Sequence, residues 1–253
     1  MKLTFLGSGS AFTVGKKNYQ SNMILEIDGY RLLIDCGTDA RYSLYEAGLA
    51  YGDIDAIYIS HLHADHVGGL EWLAFCTYFD PDCKKPTLYI AKNLAKKLWD
   101  HVLSGGLSSL EDKEATLSTY FKVVLLEDDA KFTWRGIKFT LVKTFHTISN
   151  GKLCPSYGFT ATYKTHHLFV TTDTKLCFDQ LKKHYLSASV IFHDCETAKV
   201  PTGVHAHFND LKHLDPAIKA KTWLYHHSSG RLPHAKKEGF PGFVKKGQSF
   251  TFD

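Results

Sequence analysis

The chain of 253 residues is 44% hydrophobic, enough to bury a full core, and a single domain over residues 1–253 is expected. A net charge of only +4 with neutral histidines excludes the dense basic stripe of proteins that grip long nucleic acids. No window approaches ~18 consecutive apolar residues, which excludes a membrane-spanning helix.

The opening MKLTFLGSGS has one lysine and an apolar run broken by glycine, so it reads as a strand over 2–7 and fails as a secretion signal. Strands follow at 22–28 and 30–37, turned at Asp28-Gly29, and again at 56–60 and 87–90. Helices are expected at 39–48 and 91–103. The run 104–119, SGGLSSLEDKEATLST, has the composition of a mobile loop or a short helical lid. The second half supplies strands at 137–145, 157–163, 167–172, 189–194, 222–226 and 249–252, with a hairpin near Gly136. Helices are expected there at 174–186 and 208–220. Strands followed by helices in each half suit an α/β (α+β) fold in four αββα layers, two sheets face to face with helices outside. The six cysteines include no C-x-x-C and read as reduced thiols, consistent with a cytoplasmic protein.

The 15 histidines are roughly twice an ordinary share. Three of them fall in SHLHADHVGG (60–69), directly behind the apolar run AIYI. His61 and His63, two apart in extended chain, share one side and can reach one ion. Asp65 and His66 follow, and Gly68-Gly69 allow a tight turn into the next element. Four donors exceed what one four-coordinate ion with an open position needs, so the loop implies two ions if remote ligands exist. His146, Asp173 and His226 each sit just after an apolar strand-like run and fill that need.

H-x-H-x-D-H followed by distant His, Asp and His resembles the metallo-β-lactamase superfamily of metal-dependent hydrolases; LLIDCG and LTFLGSGSAF are further matches. The resemblance implies one ion on His61, His63 and His146, a second on Asp65, His66 and His226, and Asp173 bridging. It favours His226 over His227, because the family's ligand directly ends its strand. Zinc suits the mixed His/Asp set best, and manganese and iron accept it too. Asp173 stands where the β-lactamases proper use a cysteine, and a bridging carboxylate with two ions suits phosphoryl chemistry. IFHDCET (191–197) and GVHAHFNDL (203–211) resemble later segments of the RNase Z branch. There a histidine protonates the leaving alkoxide, a task matched to its pKa. His205 is the first candidate and His207 the second, oriented by Asp194 with Glu196 behind it; Asp65 joins the catalytic set as well as the ligands.

The tRNA-processing enzymes carry a gripping arm between the third histidine and the bridging aspartate, whereas here a short hairpin fills residues 146–173. Large RNA is therefore not the expected partner, and a small phosphodiester fits better. Across its motifs the chain is similar to the phage anti-Pycsar cyclic-nucleotide phosphodiesterases and their bacterial relatives. That resemblance implies conversion of 3′,5′-cyclic mononucleotides (cCMP, cUMP, cAMP, cGMP) to linear monophosphates as a phage counter-defence. It also implies a homodimer in which 104–119 covers a neighbour's pocket. The alternatives are an RNase Z-like endoribonuclease, another small-ester hydrolase, or a non-catalytic nucleotide-binding regulator. Asp35 is a candidate to orient a ligand histidine or simply to hold a turn. Trp72, Phe75, Tyr78 and Phe79 could stack on a base or fill the core, and Arg231 or His234 could meet a phosphate or lie in a solvated loop.

Overall fold

At the first hairpin Asp28 and Gly29 both take positive φ, 50° and 79°, the mirror-image turn that matches strand twist. Arg135-Gly136 and Asn150-Gly151 close two further hairpins in the same way. The computed structural model describes residues 1–15 and 17–253. Its elements begin with β1 (Lys2–Phe5), β2 (Met23–Ile27), β3 (Tyr30–Ile34), α1 (Ala40–Glu46), β4 (Ala56–Ile59), α2 (Ala64–Val67) and α3 (Leu70–Phe79). Next come β5 (Thr87–Ala91), α4 (Lys92–Leu98), α5 (Ser104–Leu107), β6 (Ser109–Leu110), β7 (Lys113–Glu114), α6 (Leu117–Tyr120) and β8 (Lys122–Leu126). The remainder holds β9 (Lys131–Trp134), β10 (Ile137–Ser149), β11 (Lys152–Tyr163), β12 (His166–Val170), α7 (Phe178–Ser187) and β13 (Val190–Asp194). It closes with α8 (Phe208–Leu211), α9 (Pro216–Lys219), β14 (Thr222–Tyr225), β15 (Gly242–Phe243) and β16 (Ser249–Thr251).

The chain forms two compact units. The first comprises Met1–Gly7, Gly15–Glu127 and Lys246–Thr251; the second comprises Ser8–Val14, Asp128–Lys245 and Phe252–Asp253. Each holds a seven-stranded sheet, ordered β16-β1-β2-β3-β4-β5-β8 in the first and β15-β14-β13-β12-β11-β10-β9 in the second. In the first sheet β3, β4, β5 and β8 run parallel, and in the second β12 to β15 do. Parallel strands are covered on both faces, which is why AIYI of β4 is buried at every position. Their shared direction gathers the carboxyl ends of β3 and β4 at one edge of the first sheet, and those of β12, β13 and β14 at one edge of the second.

Several expected elements come out differently. Residues 208–220 form two short helices, because Asp215 caps α9 through the Ala217 N–H and Pro216 takes its first turn. Residues 174–177 stay out of α7, since the Thr174 and Lys175 N–H groups donate to Asp194 Oδ2 and the Phe145 carbonyl. The run 104–119, expected as a mobile loop or a short helical lid, folds into α5, the β6–β7 hairpin and the start of α6. It is tied down by buried Leu107, Ala115 and Leu117, and by the Tyr120 hydroxyl donating to the Leu107 carbonyl at 2.6 Å. Among the described residues no helix is long and apolar enough to cross a membrane. All six cysteines are free.

The core of the second unit encloses His193, fully buried beside Tyr185. The Tyr185 hydroxyl donates to Nε2 at 2.7 Å, and Nδ1–H donates to the Asp194 carbonyl at 2.6 Å. Burial pushes its pKa from 6.5 down to about 4. The neutral ring therefore contributes its full stability above pH 6.5, and that contribution is lost as pH falls toward 4, by up to about 3 kcal/mol. Urea unfolding at stepped pH is expected to show this slope in the native sequence and a shallower one in His193→Gln.

Candidate metal centre

In the first unit the metal loop is built on a strand end. Asp35, just past β3, has φ 59°, a left-handed backbone that turns its carboxylate toward the end of β4. Its Oδ1 accepts the Ser60 N–H at 2.8 Å, while Oδ2 accepts the Ser60 hydroxyl and His66 Nδ1–H, both at 2.7 Å. The Ser60 hydroxyl, having given its hydrogen to Asp35, accepts from His61 Nδ1–H at 3.0 Å. One carboxylate thus fixes two tautomers, leaving the Nε2 lone pairs of His61 and His66 to face the other donors. His61 Nε2 lies 3.0 Å from His63 Nδ1, and His66 Nε2 lies 3.1 Å from Asp65 Oδ2.

The loop is held by backbone as well. Cys36 N–H donates to the His66 carbonyl and Gly69 N–H to the Cys36 carbonyl, both at 2.8 Å. Gly37 N–H donates to Asn22 Oδ1 at 2.7 Å and the Thr38 hydroxyl to Gln20 Oε1 at 2.9 Å, which gives these two buried polar side chains their partners. A Cβ on Gly37 would stand 2.1 Å from the Asp65 carbonyl oxygen, so only glycine lets this crossing form. Gly37→Ala is expected to push the metal loop away, costing about 1–3 kcal/mol in thermal unfolding and lowering bound metal per chain.

In the second unit three parallel strands end together. Asp173 follows β12, Asp194 ends β13, and His226 follows β14. Thr172 and His226 have φ 51° and 61°, strained values that cost about 1–3 kcal/mol each and persist because their surroundings hold them. Asp173 Oδ2 lies 3.4 Å from His226 Nε2 and 3.8 Å from His146 Nε2, whose Nδ1–H donates to the Val204 carbonyl. His146 is the extra residue of a β-bulge in β10, between Phe145 and Thr147. His205 Nδ1–H donates to Asp194 Oδ2 at 2.7 Å and stands 3.9 Å from Asp173. Asp173, Asp194, His205 and His226 each offer a ligand-type atom, all within 4.8 Å of one another.

These donor sets fit metal ions. Two ligands on one tetrahedral zinc at ~2.05 Å stand about 3.3 Å apart, the range seen in both units. Asp65, His66, Asp173 and His226 are buried, and carboxylates and imidazole nitrogens held so close out of water suit a cation among them.

The family model of the anti-Pycsar protein Apyc1 matches residues 1–250. The chain belongs to the Apyc1 family. The anti-Pycsar protein Apyc1 of Paenibacillus harenae is 38% identical over 246 residues, covering 93% of this chain and 96% of the relative. That of Bacillus phage 010DV004 is 31% identical and covers 99% and 98%. Among solved structures, the metallo-β-lactamase fold protein YhfI of Bacillus subtilis superposes with a TM-score of 0.77 at 19% identity, covering 98% of each chain. Human tRNase Z, short form, gives 0.70 at 20% identity over 99% of each. This Apyc1-family chain accordingly has the metallo-β-lactamase fold that its motifs led us to expect.

The remaining expected site residues divide. His226 faces Asp173, whereas His227 turns to the Ser8 hydroxyl at 3.3 Å and the Ser228 carbonyl. His207 caps α8, accepting the Asn209 N–H on Nδ1 and donating Nε2–H to the Ala198 carbonyl, so its ring serves the local backbone. Glu196 accepts the Thr202 N–H on both oxygens; it tethers a loop, and Asp194 is the carboxylate that orients His205. Burial opposes charge on His205, but Asp194, with Asp173 and Glu196 beyond, reverses this and raises its pKa well above that of an ordinary imidazole. Phe75, Tyr78 and Phe79 pack among themselves and on Tyr120, and Trp72 packs on Tyr51, so they form an aromatic cluster. Sequence reasoning missed the Ser60 relay; a serine between an apolar strand and the first ligand was the available signal.

Proposed function

We propose that this Apyc1-family chain is a phosphodiesterase that opens 3′,5′-cyclic mononucleotides to linear monophosphates and so counters a cyclic-nucleotide defence signal. In this reading the donors act as one set: His61, His63 and His146 for one divalent cation, Asp65, His66 and His226 for another, and Asp173 shared. The observation that carries it is the donor spacing in each unit, joined to a histidine held by a buried carboxylate. The cations, zinc or manganese, supply Lewis-acid stabilisation of phosphoryl charge and activate water.

Within the chain, Asp35 holds His61 and His66 as neutral Nδ1–H tautomers, ready to accept a cation on Nε2. Asp194 holds His205 by Nδ1 and leaves Nε2–H to donate. As an oxygen of water bonds to phosphorus and the P–O bond to the ribose breaks, the departing ribose oxygen takes the His205 proton, and Asp194 keeps the ring oriented and its charge compensated. The modest net charge favours a small phosphodiester over large RNA. We further propose that the 253 residues work as one domain and pair as a homodimer, which gel filtration checks.

Incubation with zinc or manganese and a chromatographic screen of 2′,3′- and 3′,5′-cyclic nucleotides is expected to yield linear monophosphates from the latter, and chelation with EDTA to stop it. Turnover of generic carboxylic esters with none of the cyclic nucleotides would overturn the reading.

A further inference from the structure

The bulge that aims His146 also exposes apolar surface. Phe145 and Ile148, on either side of it, are 41% and 66% exposed, on the stretch of β10 that pairs with β11 beyond the reach of β9. Large apolar side chains left open beside polar machinery call for an occupant. With Leu153 of β11 and with Lys175 and Cys177 after the Asp173 turn, they line a cavity of about 310 Å³ that reaches His146 itself. That volume is at the small end of ligand pockets. Its floor is fixed, because the Lys175 N–H donates to the Phe145 carbonyl at 2.7 Å and the Asn150-Gly151 turn pins the hairpin tip.

We infer that this cavity receives the nucleobase of the substrate, with the Phe145 ring as its stacking surface and Ile148, Leu153 and Cys177 as its walls. The inference rests on the phosphodiesterase reading for its ligand, and three features favour a base. The cavity is continuous with His146, so a ring seated there keeps the phosphate of the same small molecule near the donors. Burial pushes the Cys177 thiol pKa up, so that wall stays neutral and apolar. Among the described lining residues Phe145 supplies an aromatic ring and Lys175 a cation, both of which favour a base. Both ring nitrogens of His146 are already engaged, and the other described lining residues are mostly apolar, so the pocket takes all four bases, with purines favoured through stacking.

The test has two readouts. Calorimetric titration of EDTA-treated protein with cAMP and cCMP measures base binding without turnover; steady-state kinetics of the zinc-loaded protein compares these nucleotides with an abasic ribose 3′,5′-cyclic phosphate. In Phe145→Ala we expect about ten-fold weaker binding of both nucleotides, and an equal fall in their kcat/KM relative to the abasic compound. Phe145→Tyr is expected to restore both, and unchanged melting curves to confirm folding, since Phe145 is half exposed. Weakening equal for abasic and base-bearing compounds, or none, overturns the base pocket and leaves the phosphodiesterase reading intact. Native protein that binds the nucleotides through Phe145 but hydrolyses none retains the pocket and sinks the phosphodiesterase. Native protein that does neither overturns both.

Discussion

A His66→Ala chain is expected to hydrolyse cyclic nucleotides at least about a thousand-fold more slowly than the native chain, with bound metal falling from two ions per chain toward one. His66 is 2% exposed and donates to Asp35 at 2.7 Å, so alanine removes a donor and also frees the carboxylate that orients His61. The effect therefore exceeds the loss of one ligand. Elemental analysis of the purified variant, beside its circular dichroism and melting curve, separates lost metal from lost fold. His66→Gln keeps bulk and a donor toward Asp35 but no imidazole, and is expected to fold better while remaining inactive. Full activity in either variant would remove the two-cation assignment.

His205→Ala is expected to lower kcat on cyclic nucleotides by about 10²–10⁴-fold, the usual worth of a positioned acid, with metal content unchanged. A ribose oxygen is a poor leaving group and needs the proton that we propose His205 supplies. Nitrophenolate is a good one and does not. Against bis-p-nitrophenyl phosphate the same variant is expected to lose far less, and that contrast distinguishes proton donation from a structural role. Asp194→Asn is expected to follow the same pattern more weakly, since an amide holds Nδ1–H without compensating its charge. Equal losses on both substrates would assign His205 to ligand holding or packing.

Much of this was legible because the chemistry is concentrated. H-x-H-x-D-H places four donors within six positions, and the remote residues each follow an apolar run, which was enough to suggest Asp173 and His226. Asp215-Pro216 carried a visible stop for the helix expected over 208–220, and it was read through. What could not be read depends on partners distant in the chain. The bulge at His146 exists only in the register against β11, and the same residues in an unbroken ladder would turn Phe145 elsewhere. His193 looks, as a letter, like any surface histidine; its Tyr185 partner sits on a helix that the alternation of β13 does not reveal. His207 and His205 differ by one strand period, and only the start of α8 decides which ring caps a helix.

Asp35 gives the first unit a property no ligand has by itself. Because one carboxyl group steadies two imidazoles, directly at position 66 and through a serine at position 61, the two rings share a common hinge pin. Variation at that pin would alter both grips together, so chains that drift at Ser60 or Asp35 ought to trade away affinity in pairs.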